Sequence, residues 1–267
     1  MTIERRLSPE EEELRAKQDE LDGLLDQLTR KELDLQTLRG EVDAFFRVYN
    51  LAVLPKLVEA KRLRQRIAQA IYALHPNQSN RAESRDARAQ AEEAARDQQG
   101  QSDARGDGQT PQPEKFTPSP ALRALYINLV KQAHPDLARD EDDQRRRNEF
   151  MVRVNRAYQE GDEAALRALA DEWAGSGSSP GEESIGEQLV RVIRQIADVR
   201  RRMNEIDSEI GEVKNSDDYS LVMQAEEAKS DGRDLVAEHV ARLDEHIQEL
   251  SSKIDDISDQ LNAIYHG

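Results

Sequence analysis

The sequence predicts an all-α protein in which long coiled-coil helical hairpins flank a small helical unit. Three observations indicate this fold class. Apolar residues recur at helical spacing along most of the chain. Charged residues make up 34% of the 267 residues and aromatic residues only 4%, which is typical of long exposed helices rather than of one broad core. Two polar stretches without apolar periodicity separate the helical regions.

The N-terminal region, residues 1–76, has the heptad pattern of a coiled coil. Large apolar residues recur every seventh position from Leu14 to Tyr49. Pro55 interrupts this pattern, and a proline inside a helix costs about 3 kcal/mol. A second apolar series follows the proline. The sequence therefore predicts a reversal or a kink at residues 50–55, and an antiparallel coiled-coil hairpin is the simplest arrangement.

Two segments have the composition of linkers. From Asn77 to Lys115 there is no large aliphatic or aromatic residue, so little apolar surface can be buried to offset the entropy of ordering the chain. Residues 77–116 are therefore predicted to form a flexible polar linker, although the Ala, Glu and Arg content of residues 81–96 is compatible with a solvated helix. The Gly- and Ser-rich residues 175–184 predict a second, short linker.

The C-terminal region, residues 185–267, has the most regular apolar repeat. Its apolar residues alternate four- and three-residue steps from Ile185 to Val213, which predicts one helix of about 30 residues. A turn is expected after Val213, and a second series with the same spacing runs from Val240 to Ile264. These two seams predict an antiparallel coiled-coil hairpin.

The middle region, residues 117–174, predicts a short helical hairpin with His134-Pro135-Asp136 at its tip. Ser119 and Pro120 form a typical helix start, with a capping hydroxyl before a proline at the first helical position. This helix should end at His134, because the residue before a proline is pushed out of the helical region. The second helix carries apolar residues at helical spacing, namely Met151, Val154, Ala157 and Tyr158.

This arrangement resembles the J-domain of the DnaJ family. Tyr126 stands eight residues and Leu129 five residues before His134, as in the family's second helix. Residues 151–158 resemble the family's Phe-x-x-Ile-Asn-x-Ala-Tyr stretch. The family's first helix has no counterpart upstream of Ser119. The basic positions of the family's second helix correspond here to Ile127, Asn128 and Gln132, which leaves Lys131 and Arg123 as the basic residues of this segment.

The resemblance implies a co-chaperone that recruits a DnaK-type chaperone and stimulates its ATPase. Asp136 would make a charge-assisted contact near the interdomain linker of that partner. His134 and Pro135 would shape the loop so that little entropy is lost on docking, and Lys131 and Arg123 would contribute positive charge toward an acidic partner surface. The alternative is a structural coiled-coil adaptor with a degenerate J-like unit that does not stimulate an ATPase.

Composition argues against several other functions. The net charge is -16, with 54 acidic and 38 basic residues, and this opposes binding to nucleic acids and to anionic membranes. The chain has no cysteine, which excludes disulfides and thiolate zinc sites. His239 and His246 are seven residues apart on a predicted helix, too distant to share a metal by themselves. With no glycine-rich phosphate loop in the sequence either, we expect no enzymatic activity, no metal and no cofactor.

Location and further partners are also expectations. The sequence lacks the apolar core of a signal peptide and an uninterrupted apolar run of about 20 residues, so a cytoplasmic protein is predicted. The coiled-coil seams are predicted to bind a client or scaffold protein, or a second copy of the chain.

Overall fold

A computed structural model of the chain describes residues 8–103, 116–175 and 183–266. The regular elements of these residues are helical, which confirms the all-α class. In these ranges, none of the helices combines the length and apolar character needed to cross a bilayer. The helices are α1 (Pro9–Leu74), α2 (Gln78–Asp103), α3 (Pro120–Ala133), α4 (Glu141–Gln159), α5 (Glu163–Gly175), α6 (Ile185–Lys214), α7 (Asp217–Ser230) and α8 (Leu235–His266), and a 3₁₀ turn, Pro135–Leu137, lies between α3 and α4.

The chain divides into two compact units. Of the described residues, the first unit contains 8–44, 116–175 and 183–220, and the second contains 45–103 and 221–266. Helix α1 contributes its N-terminal part to the first unit and its C-terminal part to the second.

An apolar seam between α1 and α6 forms one core of the first unit. The heptad leucines of α1 pack against the regular apolar repeat of α6. The two helices run parallel, because Glu20 pairs with Arg200 whereas the later Arg39 pairs with Glu209. Burying several such leucines stabilises the seam by about 1.5 to 3 kcal/mol per fully buried side chain. The buried members of the seam are Leu14, Leu21, Leu28, Leu35, Val192, Ile196, Val199 and Ile206.

Helices α3, α4 and α5 form a second core of the first unit, around Tyr126 and Tyr158. Both tyrosines are fully buried, and Leu166 of α5 is buried with them. Leu33 of α1 and Phe116 pack against the edge of this cluster. A Cβ at Gly40 of α1 would lie 2.7 Å from the Phe116 ring, so the glycine provides the space that this ring occupies.

The second unit has its core between the C-terminal part of α1 and helix α8. Lys56 pairs with Asp244 at 2.7 Å beside this core. The Tyr49 hydroxyl and His239 Nδ1 lie 3.0 Å apart. The buried members of the core are Ala60, Leu63, Ile67, Ile247, Leu250, Ile254 and Ile257.

The hairpin expected over residues 1–76 is wrong, because α1 runs without reversal through Pro55. Proline removes one backbone hydrogen bond and crowds the preceding turn. Val53 and Val58 are both buried around it. The apolar face of the helix therefore continues past Pro55, and its burial offsets the cost of the proline.

Within the linker expected over residues 77–116, residues 78–103 form α2. The sequence allowed a helix only for residues 81–96, so the expectation of a flexible chain is wrong for the rest of α2. Alanine has the highest helix propensity and loses no side-chain entropy when it is buried. Ala91 and Ala94 are buried in α2, so small side chains suffice to pack this helix. Residues 104–115 of this linker, and residues 176–182 of the short linker expected at 175–184, lie outside the described residues.

The antiparallel C-terminal hairpin expected over residues 185–267 is also wrong. The seam of α6 packs against α1 in the first unit, and the seam of α8 packs against α1 in the second. Helix α7 separates α6 from α8, and it is followed by a turn in which Gly232 has a φ of +74°. Heptad spacing specifies that a helix needs an apolar partner but does not specify which one.

Candidate functional site

The helix before the His-Pro-Asp loop begins and ends where the sequence predicts. The Ser119 hydroxyl caps α3 by accepting the Leu122 N–H at 3.0 Å, and Pro120 is the first helical residue. Helix α3 ends at Ala133, and His134 is extended with φ -58° and ψ 135°. This conformation relieves the clash with the ring of the following proline.

The helix after the loop is fixed by a cap and an ionic cluster. The Asp140 carboxylate accepts the Asp143 N–H at 2.8 Å and caps α4. The Asp143 carboxylate accepts hydrogen bonds from the Arg146 and Arg147 guanidinium groups. Partial burial opposes ionisation of Asp143, but these arginines outweigh it and lower its pKa. Arg147 also donates to the Gln132 carbonyl oxygen at 2.9 Å, which ties α4 to the end of α3.

The two helices that flank the loop are joined by an aromatic pair. The rings of Tyr126 and Tyr158 have centroids 4.5 Å apart. The Tyr126 hydroxyl donates to Asn155 Oδ1 at 3.0 Å, and burial raises the pKa of Tyr126 well above its ordinary value. These three residues belong to the segments that carry the resemblance to the DnaJ family. The structure therefore brings the resembling positions of α3 and α4 together in one core.

Helix α5 covers the apolar side of α3 and α4. Its Leu166 and Leu169 are buried in their core. Trp173 packs against Phe150 with ring centroids 4.6 Å apart, and the Arg146 guanidinium lies 5.2 Å from the Trp173 ring centroid. Helix α5 thus covers apolar surface of α3 and α4. The sequence upstream of Ser119 has no counterpart of the DnaJ family's first helix that could cover it instead.

His134 of the loop is almost fully buried, with 2% of its surface exposed. Its Nδ1 accepts the Asp136 N–H at 3.2 Å, and its carbonyl oxygen accepts a hydrogen bond from Arg147. Its Nε2 lies 3.7 Å from Glu32 Oε1 on helix α1. The imidazole therefore accepts a hydrogen bond from the loop backbone, and it also faces α1.

Asp136 lies in the loop between α3 and α4, but this tip of the helical hairpin is not open to solvent. Only 10% of its side chain is exposed. Its Oδ2 lies 3.6 Å from His134 Nδ1 and has no hydrogen-bond partner among the described residues. Burial raises the pKa of Asp136, because the favourable contribution of His134 does not compensate for desolvation, and Asp198 adds repulsion.

Two helices of the first unit enclose the loop. On α6, buried Gln195 donates through Nε2 to the Leu137 carbonyl oxygen at 3.2 Å. On α1, Glu32 is 4% exposed and accepts a hydrogen bond from Arg202 Nε of α6 at 2.9 Å. Burial opposes ionisation of Glu32, but His134 and Arg202 outweigh it and lower its pKa.

The two basic residues expected to face a partner have neighbours in the first unit. The Lys131 ammonium pairs with Asp26 of α1 at 2.6 Å, although 45% of its side chain is exposed. Arg123 is exposed on α3, beside the Tyr158 hydroxyl. That hydroxyl also lies 2.9 Å from the Thr37 hydroxyl of α1. The structure does not bring Lys131 and Arg123 together with Asp136 on an open surface.

The sequence did not identify Glu32, Gln195 and Arg202 as part of this site. A weak signal existed, because Glu32 occupies a companion position of the α1 heptads that is usually apolar. Gln195 lies between the seam residues Val192 and Ile196 and resembles an ordinary flanking position. The burial of a charged or amide side chain at such positions depends on the partner that packs there.

The two histidines considered as metal ligands, His239 and His246, contact other side chains in the described part of the chain. The His246 Nε2 lies 2.8 Å from the Arg64 guanidinium, and His239 contacts Tyr49. No group of three or more potential ligands from His, Cys, Asp and Glu forms a metal site among the described residues.

The fold and the site define a helical protein in which a His-Pro-Asp loop joins two packed helices and is enclosed by two longer ones. Comparisons of the chain with protein-family models, with curated proteins and with solved structures found no significant match.

Proposed function

We propose that this protein is a J-domain co-chaperone that recruits a DnaK-type chaperone and stimulates its ATPase. The observation that carries the proposal is the unit formed by α3, the His134-Pro135-Asp136 loop and α4. Its core pairs Tyr126 with Asn155 and Tyr158, the positions on which the resemblance to the DnaJ family rests.

The proposed mechanism needs no bond-making by this chain. Asp136 would accept a charge-assisted hydrogen bond from a cationic group of the chaperone, an interaction about twice as strong as a neutral one. His134 and Pro135 keep the loop in a turn, so docking costs little conformational entropy. Lys131 and Arg123 would favour approach to an acidic surface. The coiled-coil helices would hold a client, a scaffold protein or a second copy of the chain, and the proposed location is the cytoplasm.

A second candidate function is a structural adaptor whose J-like unit no longer stimulates an ATPase. It is favoured by the burial of Asp136 and by the pairing of Lys131 with Asp26. In that case the loop would serve as packing between helices, and the protein would connect partners through its long helices.

The steady-state ATP turnover of the DnaK-type chaperone from the same organism distinguishes the two functions. We expect the full-length protein to raise turnover and Asp136→Asn to abolish this effect without changing helicity. Asp142→Asn is the matched control, because it is the same substitution at a side chain that is 91% exposed near the loop. Equal stimulation by the wild type and Asp136→Asn would contradict the J-domain mechanism.

A further inference from the structure

The loop that the proposed function must expose is held against helix α6. Gln195 is 6% exposed, and its amide donates to the backbone carbonyl of Leu137, the residue after Asp136. Asp198 and Arg201 of the same helix are close enough to influence the charge on Asp136. This face of α6 therefore lies against the backbone of the loop.

Helix α1 closes the loop from a second direction. Buried Glu32 lies beside the His134 imidazole and accepts a hydrogen bond from Arg202 of α6. One carboxylate thus connects the loop to both enclosing helices.

Little of the Asp136 side chain is open to a partner in this arrangement. A charge-assisted hydrogen bond requires a nitrogen at about 2.7 to 2.9 Å from the carboxylate oxygen. The Asp136 side chain is nine-tenths buried, and its Oδ2 is inaccessible to solvent. Access of a cationic group to both oxygens of the Asp136 carboxylate therefore requires the loop to leave α6.

The forces involved allow such a local opening. Helix α6 is held to α1 by the apolar seam that includes Val199 and Ile206. The loop is joined to α6 by the Gln195 hydrogen bond, and the Asp136 carboxylate has no hydrogen-bond partner at Oδ2 in the closed arrangement. Segments with few buried apolar contacts open at lower free energy than the core of a protein. The loop can therefore separate from α6 while the seam stays intact.

We infer that α6 and Glu32 form an autoinhibitory latch that holds the His134-Pro135-Asp136 loop closed. The inference rests on the proposed co-chaperone function and concerns the regulation of the same loop. In the closed state the loop is masked. In the open state Asp136 is exposed and the chaperone ATPase is stimulated, so the apparent affinity for the chaperone depends on the open fraction.

Gln195→Glu is designed to open the latch. The new carboxylate would face the Leu137 carbonyl oxygen and lie near Asp136. The substitution therefore removes the hydrogen bond to Leu137 and adds electrostatic repulsion with both groups. Loss of one net hydrogen bond alone corresponds to about a fivefold increase in the open fraction. Gln188→Glu is the matched control, because it lies seven residues earlier on α6 and its side chain bonds the Glu183 carbonyl oxygen. Gln195→Ala is a milder opening variant if the glutamate impairs folding.

Two measurements are made on the full-length proteins. Hydrogen exchange at residues 136–138 reports loop opening, and ATP turnover of the DnaK-type chaperone reports function. We expect Gln195→Glu to accelerate exchange at the loop and to raise stimulation about fivefold at limiting concentration. Gln188→Glu should match the wild type, and Gln195→Glu combined with Asp136→Asn should lose stimulation.

The outcomes separate the latch from the function it regulates. Unchanged exchange in both Gln195 variants overturns the latch. Faster exchange with stimulation equal to that of the wild type also overturns it, while the co-chaperone function stands. Faster exchange without stimulation by any variant shows that the loop opens but overturns the proposed function.

Discussion

Asp136 occupies a position that its burial makes unfavourable. A buried carboxylate oxygen without a hydrogen-bond partner costs about 1 to 3 kcal/mol, and Asp136 has one at Oδ2. Asparagine would fill the same space without a charge to desolvate. A residue that stabilises the fold less than a neutral residue of the same shape suits a role in binding rather than in packing.

Asp136→Asn should therefore stabilise the protein by about 1 kcal/mol at pH 7. Because the pKa of Asp136 is raised above its ordinary value of 3.8, its ionisation destabilises the folded state at neutral pH. The advantage of asparagine should shrink as the pH falls through the raised folded pKa and should vanish below 3.8. Urea unfolding at pH 7 and at lower pH, with Asp142→Asn as the control, measures both effects.

A destabilised Asp136→Asn variant at pH 7 would instead indicate that the carboxylate has a structural partner.

The sequence predicts that Asp136 lies in a loop between two helices. Ser119, Pro120 and Pro135 determine the ends of α3 through local backbone effects. It does not predict the burial of Asp136. That burial depends on Glu32 and Gln195, which approach from distant parts of the chain.

At the scale of the elements, helix α1 shows how a strong local signal can mislead. Proline is unfavourable inside a helix, so Pro55 indicates a reversal when only its neighbours in sequence are considered. Val53 and Val58 both remain buried when the helix continues. In α2, conversely, the lack of large apolar residues indicates a flexible segment. Ala91 and Ala94 are nevertheless buried, because small side chains are covered when another part of the chain packs closely against them. Local composition does not report these tertiary contacts.

Pro55→Ala distinguishes a continuous α1 from a hairpin. In a continuous helix the substitution restores a backbone donor and removes a clash, so we expect the second unit to be stabilised by up to about 3 kcal/mol. Pro120→Ala is the control, because Pro120 is the first residue of α3 and has no helical hydrogen bond to restore. Thermal unfolding followed by circular dichroism measures both variants. A lower midpoint for Pro55→Ala would indicate that the proline shapes a turn.

At the scale of the whole molecule, α1 is the common partner of the two most regular apolar repeats. The seam of α6 packs on the leucines around Leu28, and the seam of α8 packs on residues around Leu63. The sequence predicts the seam residues of both repeats but pairs them with each other. The spacing of apolar residues alone does not determine which seams pair with each other. The relative direction of the helices and the ion pairs beside the seams are needed as well. Here the pair of Lys31 with Asp207 lies beside the seam of α6.

Separating the chain into two fragments tests which seams pair. Isolated helices gain little from propensity alone, so α6 and α8 need a partner for their apolar faces. We expect residues 183–267 alone to be weakly helical and to melt without cooperativity. An equimolar fragment of residues 8–76, which contains α1, should increase helicity and produce a cooperative transition in circular dichroism.

Leu28→Asp in the α1 fragment should weaken this increase in helicity, since burying an aspartate in place of a fully buried leucine costs several kcal/mol. Gln27→Asp, which introduces the same residue at the exposed neighbouring position, should not. Cooperative melting of residues 183–267 alone, unchanged by the α1 fragment, would show that α6 and α8 pair with each other instead.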